Sequence, residues 1–108
     1  MKNLNVQITH PQFQKMAISL EGKLTSADAV RFKSKVLNLM TASRPAECTI
    51  DISGLSQMDL TGVNALAMAH RNCQALGSTL YILSSDDKPA EEFLHLTKFR
   101  SILNFRSA

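Results

Sequence analysis

Between Ile50 and Val63 the chain reads Ile-Asp-Ile-Ser-Gly-Leu-Ser-Gln-Met-Asp-Leu-Thr-Gly-Val, and its candidate chemistry is concentrated there. Two acids, Asp51 and Asp59, and three hydroxyls, Ser53, Ser56 and Thr61, fall in one short stretch. The residues after Asp59 form an apolar run, so Asp59 stands where a helix begins. Helix N-termini carry unpaired backbone N–H groups and the positive end of the helix dipole, which favour an anion or a covalently attached phosphate. The ordinary role of an acid in this place is an N-cap, worth about 1 kcal/mol. The functional alternative is that Asp51 and Asp59 organise a phosphoryl-acceptor loop, with two carboxylates and a nearby hydroxyl as in a magnesium site.

That alternative stops short of an enzyme. A phosphoaspartate site of the receiver type needs a further acid after the first strand and a lysine after a later one. Here Glu21 is followed by Gly22-Lys23 and Leu83 by serines, so autonomous phosphotransfer is not expected. Thr61 is either a phosphate acceptor or a β-branched residue of the first helical turn whose hydroxyl bonds the backbone. Ser53 and Ser56 are weaker candidates of the same kind. Gly62 costs up to ~1 kcal/mol relative to alanine inside a helix, which points to close approach by a neighbouring backbone or a partner. Gly54 reads as a turn residue. The three histidines, His10, His70 and His95, share no metal-ligand spacing, and no catalytic triad, glycine-rich phosphate loop or cofactor motif is present. The expectation is no catalytic residue, no metal and no cofactor.

The elements that position this stretch follow from periodicity. Val6, Ile8 and Phe13 suggest a first strand turned by His10-Pro11, and Met16, Ile18 and Leu20 a second strand broken at Glu21-Gly22. Thr25 or Ser26 then caps a helix with Asp28 in its first turn, and Ala29, Phe32, Val36 and Leu39 form its apolar stripe. Ser43-Arg44-Pro45 ends it. Cys48 to Ile52 reads as a short central strand buried on both faces and ending in a polar loop. Thr61 to about Leu76 forms a deeply packed helix stopped by Gly77, and Thr79 to Leu83 another strand. Phe93, Leu94, Leu96 and Thr97 mark a third helix, and Ile102-Leu103 a last short edge strand. The order β-β-α-β-α-β-α-β predicts an α/β fold in one domain, residues 1–108: a mixed, mainly parallel sheet of about 4–5 strands packed by about 3–4 helices. In such sheets the working groups gather beyond the carboxyl ends of strands, and the turn before Thr61 is such a place.

Composition agrees with a single core. The chain has 108 residues, 44% of them apolar and 19% charged. No span approaches the ~20 apolar residues of a membrane-crossing helix, and the first ten residues hold no secretory h-region. Cys48 and Cys73 read as two free buried thiols of a cytoplasmic protein. Twelve basic against nine acidic residues give a net charge of +3, scattered along the chain. Nucleic-acid binding wants a denser basic stripe interleaved with aromatic side chains, so it is not expected, and neither is membrane insertion.

The strand, the loop and the Met58-Asp59-Leu60-Thr61-Gly62 run together resemble the signature of the STAS family, the anti-sigma-factor antagonists, in which a strand reading D-[LIV]-[ST] leads to M-D-S-[ST]-G. Asp51 and Asp59 match the two family aspartates, Thr61 the second hydroxyl and Gly62 the glycine. Leu60 stands where the family carries its phosphorylated serine, and leucine takes no phosphate. Flanking stretches come in family order: Leu20 to Leu24, Ala75 to Leu80, and Phe93 to Phe99. The resemblance spans about Val6 to Phe105. It implies a non-enzymatic partner-switching module that docks through this loop and helix, by Asp51, Ser53, Ser56, Met58, Asp59, Leu60, Thr61 and Gly62. The implied partner is an anti-sigma factor of the serine-kinase-type ATPase class. The implied alternative is an accessory subunit bracing the ATPase of an ABC-type phospholipid transporter. The expected oligomeric state is a monomer or a weak dimer.

Overall fold

The computed structural model describes residues 3–84 together with the backbone of 105–107. The chain opens with an antiparallel hairpin, β1 (Leu4–Thr9) and β2 (Lys15–Leu24), followed by α1 (Ser26–Ser43), β3 (Glu47–Met58), α2 (Leu60–Ala75), β4 (Thr79–Ser84) and β5 (Phe105–Ser107). Within the described residues the sheet runs β1-β2-β3-β4-β5. Only the β1–β2 pair is antiparallel; β2–β3, β3–β4 and β4–β5 are parallel. The strand count meets the expectation of a mixed, mainly parallel sheet. Two helices are described; the expected third helix at Phe93 to Thr97 and the strand at Ile102-Leu103 lie outside the described residues. The last described strand begins at Phe105.

Parallel neighbours joined by a helix cross over right-handedly. Two such crossovers moving in one direction along the sheet put α1 and α2 on the same face, where they pack on each other and on the sheet. The core lies between them. Met16, Ile18, Leu20 and Leu24 of β2, Cys48, Ile50 and Ile52 of β3, and Leu80 and Ile82 of β4 meet Phe32, Val36 and Met40 of α1 and Val63, Leu66 and Ala69 of α2. The opposite face of β3 is only half-buried at Thr49, Asp51 and Ser53. The central strand therefore alternates, contrary to the expectation of burial on both faces, because both helices share one side.

Four further sequence expectations fail for identifiable reasons. Phe13 lies in the turn between β1 and β2 and is 91% exposed, so it extends no strand. Glu21-Gly22 does not break β2, which continues to Leu24: Gly22 sits at φ +106, and a Cβ there would overlap the Asn3 carbonyl oxygen. Ser53 to Met58 is strand, not loop, because the extended β2 supplies a ladder for it. The β2–β3 register slips between Ser19 and Glu21 and again between Gly22 and Lys23, each time with an extra residue on β3. Such bulges bend the strand and leave two residues opposite one. Gly54 therefore serves a close strand pairing and not a turn, since a Cβ on it would come 2.7 Å from the Leu20 carbonyl oxygen.

The helix ends use separate devices. Arg44 caps α1 in the left-handed conformation (φ 45°, ψ 57°), its N–H donating to the Met40 carbonyl at 2.8 Å. At the end of α2, Gly77 (φ +75) donates to Gln74 O at 3.2 Å and Ser78 N–H to Cys73 O at 2.8 Å, the paired bonds of a Schellman ending. No described helix is long and apolar enough to cross a membrane.

Cys48 and Cys73 are free and buried. Desolvation, with a smaller push from Cys73, raises the Cys48 thiol to about 12, and burial raises Cys73 to about 11. Both are held above the ordinary thiol value of 9.0, so the neutral thiols favour the fold below about pH 9 and that stabilisation is lost as pH rises toward 11–12. At pH 8 an excess of a thiol-specific reagent should leave both cysteines of the folded protein unlabelled and modify both in denaturant, as read by mass spectrometry.

Candidate functional site

Asp59 is tied down by every polar group it has. Its N–H donates to the Leu24 carbonyl at 3.4 Å, and its own carbonyl accepts the first bond of α2 from Val63 N–H at 3.0 Å. One carboxylate oxygen accepts from Gly62 N–H at 2.9 Å, the N-cap bond. The other accepts from Ser26 N–H at 3.0 Å, across 33 residues of sequence. One side chain thus caps its own helix and serves the start of α1.

The beginning of α1 explains the second bond. Thr25 occupies the N-cap position, but its side chain makes no capping bond. Ser26 is held at φ +48, in the left-handed region that costs a residue with a Cβ on the order of 1–2 kcal/mol. Its N–H in that pose points to Asp59, and a charge-assisted hydrogen bond offsets part of the cost. The expected hydroxyl cap at Thr25 or Ser26 is therefore replaced by a carboxylate from the neighbouring junction. A spacing rule confined to one helix cannot find such a cap.

Gly62 completes the junction. A Cβ there would overlap the Leu24 carbonyl oxygen and come 2.7 Å from Met58 Cγ. Close approach of a neighbouring backbone, expected from the sequence, is what its missing side chain permits, and the same carbonyl accepts from Asp59 N–H. Met58 is buried beneath the turn at 5% exposure, whereas Leu60, the first residue of α2, is 61% exposed. Thr61 is half-buried.

The remaining candidates are placed elsewhere. Asp51 accepts from both Ser53 N–H (2.9 Å) and Ser53 Oγ (2.6 Å) on the half-buried face of β3. It is paired with Ser19, and Met58 with Leu24, a separation of roughly 16 Å along β2. The two acids do not share a site, and among the described residues no group of three or more His, Cys, Asp and Glu is placed to hold a metal. Ser56 Oγ donates to the Gly22 carbonyl at 3.1 Å. A shallow concavity of about 610 Å³ lies beside Asp51 and Ser53, lined also by Asn5, Gln7, Ser19 and Glu21; the α2 N-terminus does not line it. His70, within α2, is 8% exposed, and its Nδ1 has no hydrogen-bond partner among the described residues.

Among the described residues, no hydroxyl or thiol at the start of α2 is hydrogen-bonded to a base. What the arrangement offers is an exposed leucine on a rigid, polar-braced helix start, which suits contact with another protein. Replacing Asp59 by alanine should cost about 1–2 kcal/mol in urea unfolding, since two helix starts lose an acceptor. Asp59→Asn keeps one acceptor oxygen and should recover about half of that. Gly62→Ala should cost about 1–3 kcal/mol through overpacking. A loss below 0.5 kcal/mol for either alanine variant would contradict this description of the junction.

Comparison with known proteins places this architecture. The fold matches the anti-sigma factor antagonist SpoIIAA in its unphosphorylated form, with a TM-score of 0.75, 17% identity, and coverage of 96% of this chain and 89% of that one. An anti-sigma factor antagonist from Mycobacterium paratuberculosis matches with a TM-score of 0.82 at 13% identity, covering 97% and 86%. The phosphorylated form of the Bacillus cell fate determinant SpoIIAA matches at 0.71 and 15% identity, covering 95% and 92%. At these identities the likeness is one of fold. No curated protein sequence matches the chain. The model of one sequence family, described as Mlab, STAS domain, matches residues 9–102. The chain is a member of this STAS family.

Proposed function

We propose that this chain is a non-enzymatic docking module of the anti-sigma-factor-antagonist kind. It binds an anti-sigma factor of the serine-kinase-type ATPase class through the N-terminal end of α2. The observation that carries this reading is Leu60: a large apolar side chain, 61% exposed, on the one turn that Asp59 fastens to both helix starts. A leucine presented on a rigid backbone gains affinity by burial and loses little entropy on binding. Ser56 and Gln57, both exposed, precede it at the end of β3. Thr61 flanks it, while Met58, Asp59 and Gly62 position it from below. Asp51 and Ser53 act at most through the shape of β3.

In family members with a serine at this position, a phosphate would add a charge of about −1.5 to −2 within the interface and drive the partners apart. Leu60 takes no phosphate, so the docking proposed here is constitutive. Thr61 as a substitute acceptor lies about 100° further around the helix, half-buried, and a kinase would have to approach it from another direction. The same leucine suits a second reading, a STAS subunit bracing the ATPase of an ABC-type phospholipid transporter, because a scaffold needs no phosphate.

Affinity purification from the native organism, with mass spectrometry of the eluate and of the bait, tests both readings. A kinase-type ATPase with an unmodified bait is the expected result; transporter subunits would favour the scaffold, and phosphate on Thr61 would overturn constitutive docking. Leu60→Asp should weaken the recovered complex by at least about thirtyfold, roughly 2 kcal/mol, with unfolding stability unchanged. Leu60→Ser should gain a phosphate from a cognate kinase, and failure to do so would contradict the equivalence of this position with the family's acceptor.

A further inference from the structure

β1 forms one edge of the sheet, with β2 on one side and no described strand on the other. Lys23 N–H donates to the Asn3 carbonyl at 2.8 Å, and the register continues Asn5 to Glu21, Gln7 to Ser19 and Thr9 to Ala17. In an antiparallel ladder the residues between such bonded pairs turn their peptide groups outward. The N–H and C=O groups of Leu4, Val6 and Ile8 therefore face away from the sheet along this edge.

Exposed edges of this kind are usually blunted by lysine, proline or a bulge, because they template pairing with another chain. β1 reads Leu-Asn-Val-Gln-Ile-Thr, with no charge and no proline, and its pairing to β2 is free of register shifts. Beside it runs a groove of about 330 Å³ between the strand and α1, with Leu4, Val6 and Phe32 among its lining. Asp28, Arg31 and Lys35 rim it. Arg31 is paired with Asp28, while Lys35 has no ion pair among the described residues. The rim is thus one positive charge in excess.

We propose that the β1 edge and the β1–α1 groove form a second docking site, which takes an extended acidic peptide segment of a protein partner as an added strand. Main-chain bonds to Leu4, Val6 and Ile8 supply affinity. Alternate apolar side chains of the peptide enter the groove, and a carboxylate of the peptide meets Lys35 and Arg31. A second copy of this chain suits the edge less well. Antiparallel pairing of two β1 strands keeps both α1 helices on the same face and turns the two basic rims toward each other. The site shares no lining residue with the α2 N-terminus and does not depend on the function proposed above.

The test is selection from a phage-displayed library of random peptides against the full chain, followed by titration of the enriched peptides. Those peptides should alternate apolar residues and carry Asp or Glu. On binding they should slow hydrogen exchange at the amides of Leu4, Val6 and Ile8. Val6→Pro removes an outward N–H at an edge position where proline is tolerated, and should weaken binding at least about tenfold. Arg31→Glu combined with Lys35→Glu changes exposed groups and should do the same; should Val6→Pro fail to fold, this variant and the exchange data decide. An empty selection, binders indifferent to both changes, or a dimer of the chain that Val6→Pro dissociates would overturn the proposal.

Discussion

The bond from Ser26 N–H to the Asp59 carboxylate is the constraint on which the presented end of this molecule depends. Two strand-to-helix junctions, Leu24 to Ser26 and Met58 to Leu60, lie side by side because β2 and β3 are parallel neighbours paired up to Leu24 and Met58. Each junction must satisfy the free N–H groups of a helix start, and each must turn sharply. Asp59 meets both demands with one carboxylate, and the absence of a side chain on Gly62 leaves room for the Leu24 carbonyl that binds Asp59 N–H. Geometry at one junction therefore fixes geometry at the other. Ser26 accepts a left-handed backbone as the consequence.

That coupling bears on the docking proposed above through Leu60. An exposed leucine on a loose loop would lose on binding the entropy that a fixed helix start has already given up on folding. Here the residue before it is bonded on four sides and the residue two after it is buried against a neighbouring strand end. The family's chemistry at this turn, as the STAS resemblance implies it, is a phosphate that interrupts docking. In this chain the same turn carries Leu60, a side chain that takes no phosphate. The parallel sheet brings the site to its carboxyl edge, as open α/β sheets commonly do, but the site's character comes from three residues, Asp59, Leu60 and Gly62.

Much of this was legible in the sequence. The order of elements from the first strand to the strand at Thr79, the cap at Asp59, the close approach at Gly62 and the stop at Gly77 all follow from local rules. The stretch from Ser53 to Met58 was misread because two bulges on β3 change its apparent period. Ile52, Leu55 and Met58 are buried at intervals of three, which resembles neither a strand nor a helix when read by spacing alone. The double duty of Asp59 was invisible for a different reason: its second partner is 33 residues away, and only the pairing of β2 with β3 brings the two together. Phe13 misled by hydrophobicity, which sets no address in a turn. Sequence proximity suggests Asp51 as a second member of the site, whereas an extended strand carries neighbours apart by about 3.3 Å per residue.

The central claim is that the Asp59-braced start of α2 is the surface a partner protein touches. The most direct test places a photoactivatable amino acid at position 60 of the full chain in its native organism, with a second chain labelled at Gln7 on the exposed part of β1. The account predicts an ATP-hydrolysing protein covalently joined at position 60, with none of that protein joined at position 7. Recovery of such a partner from position 7 and not from position 60 would contradict it.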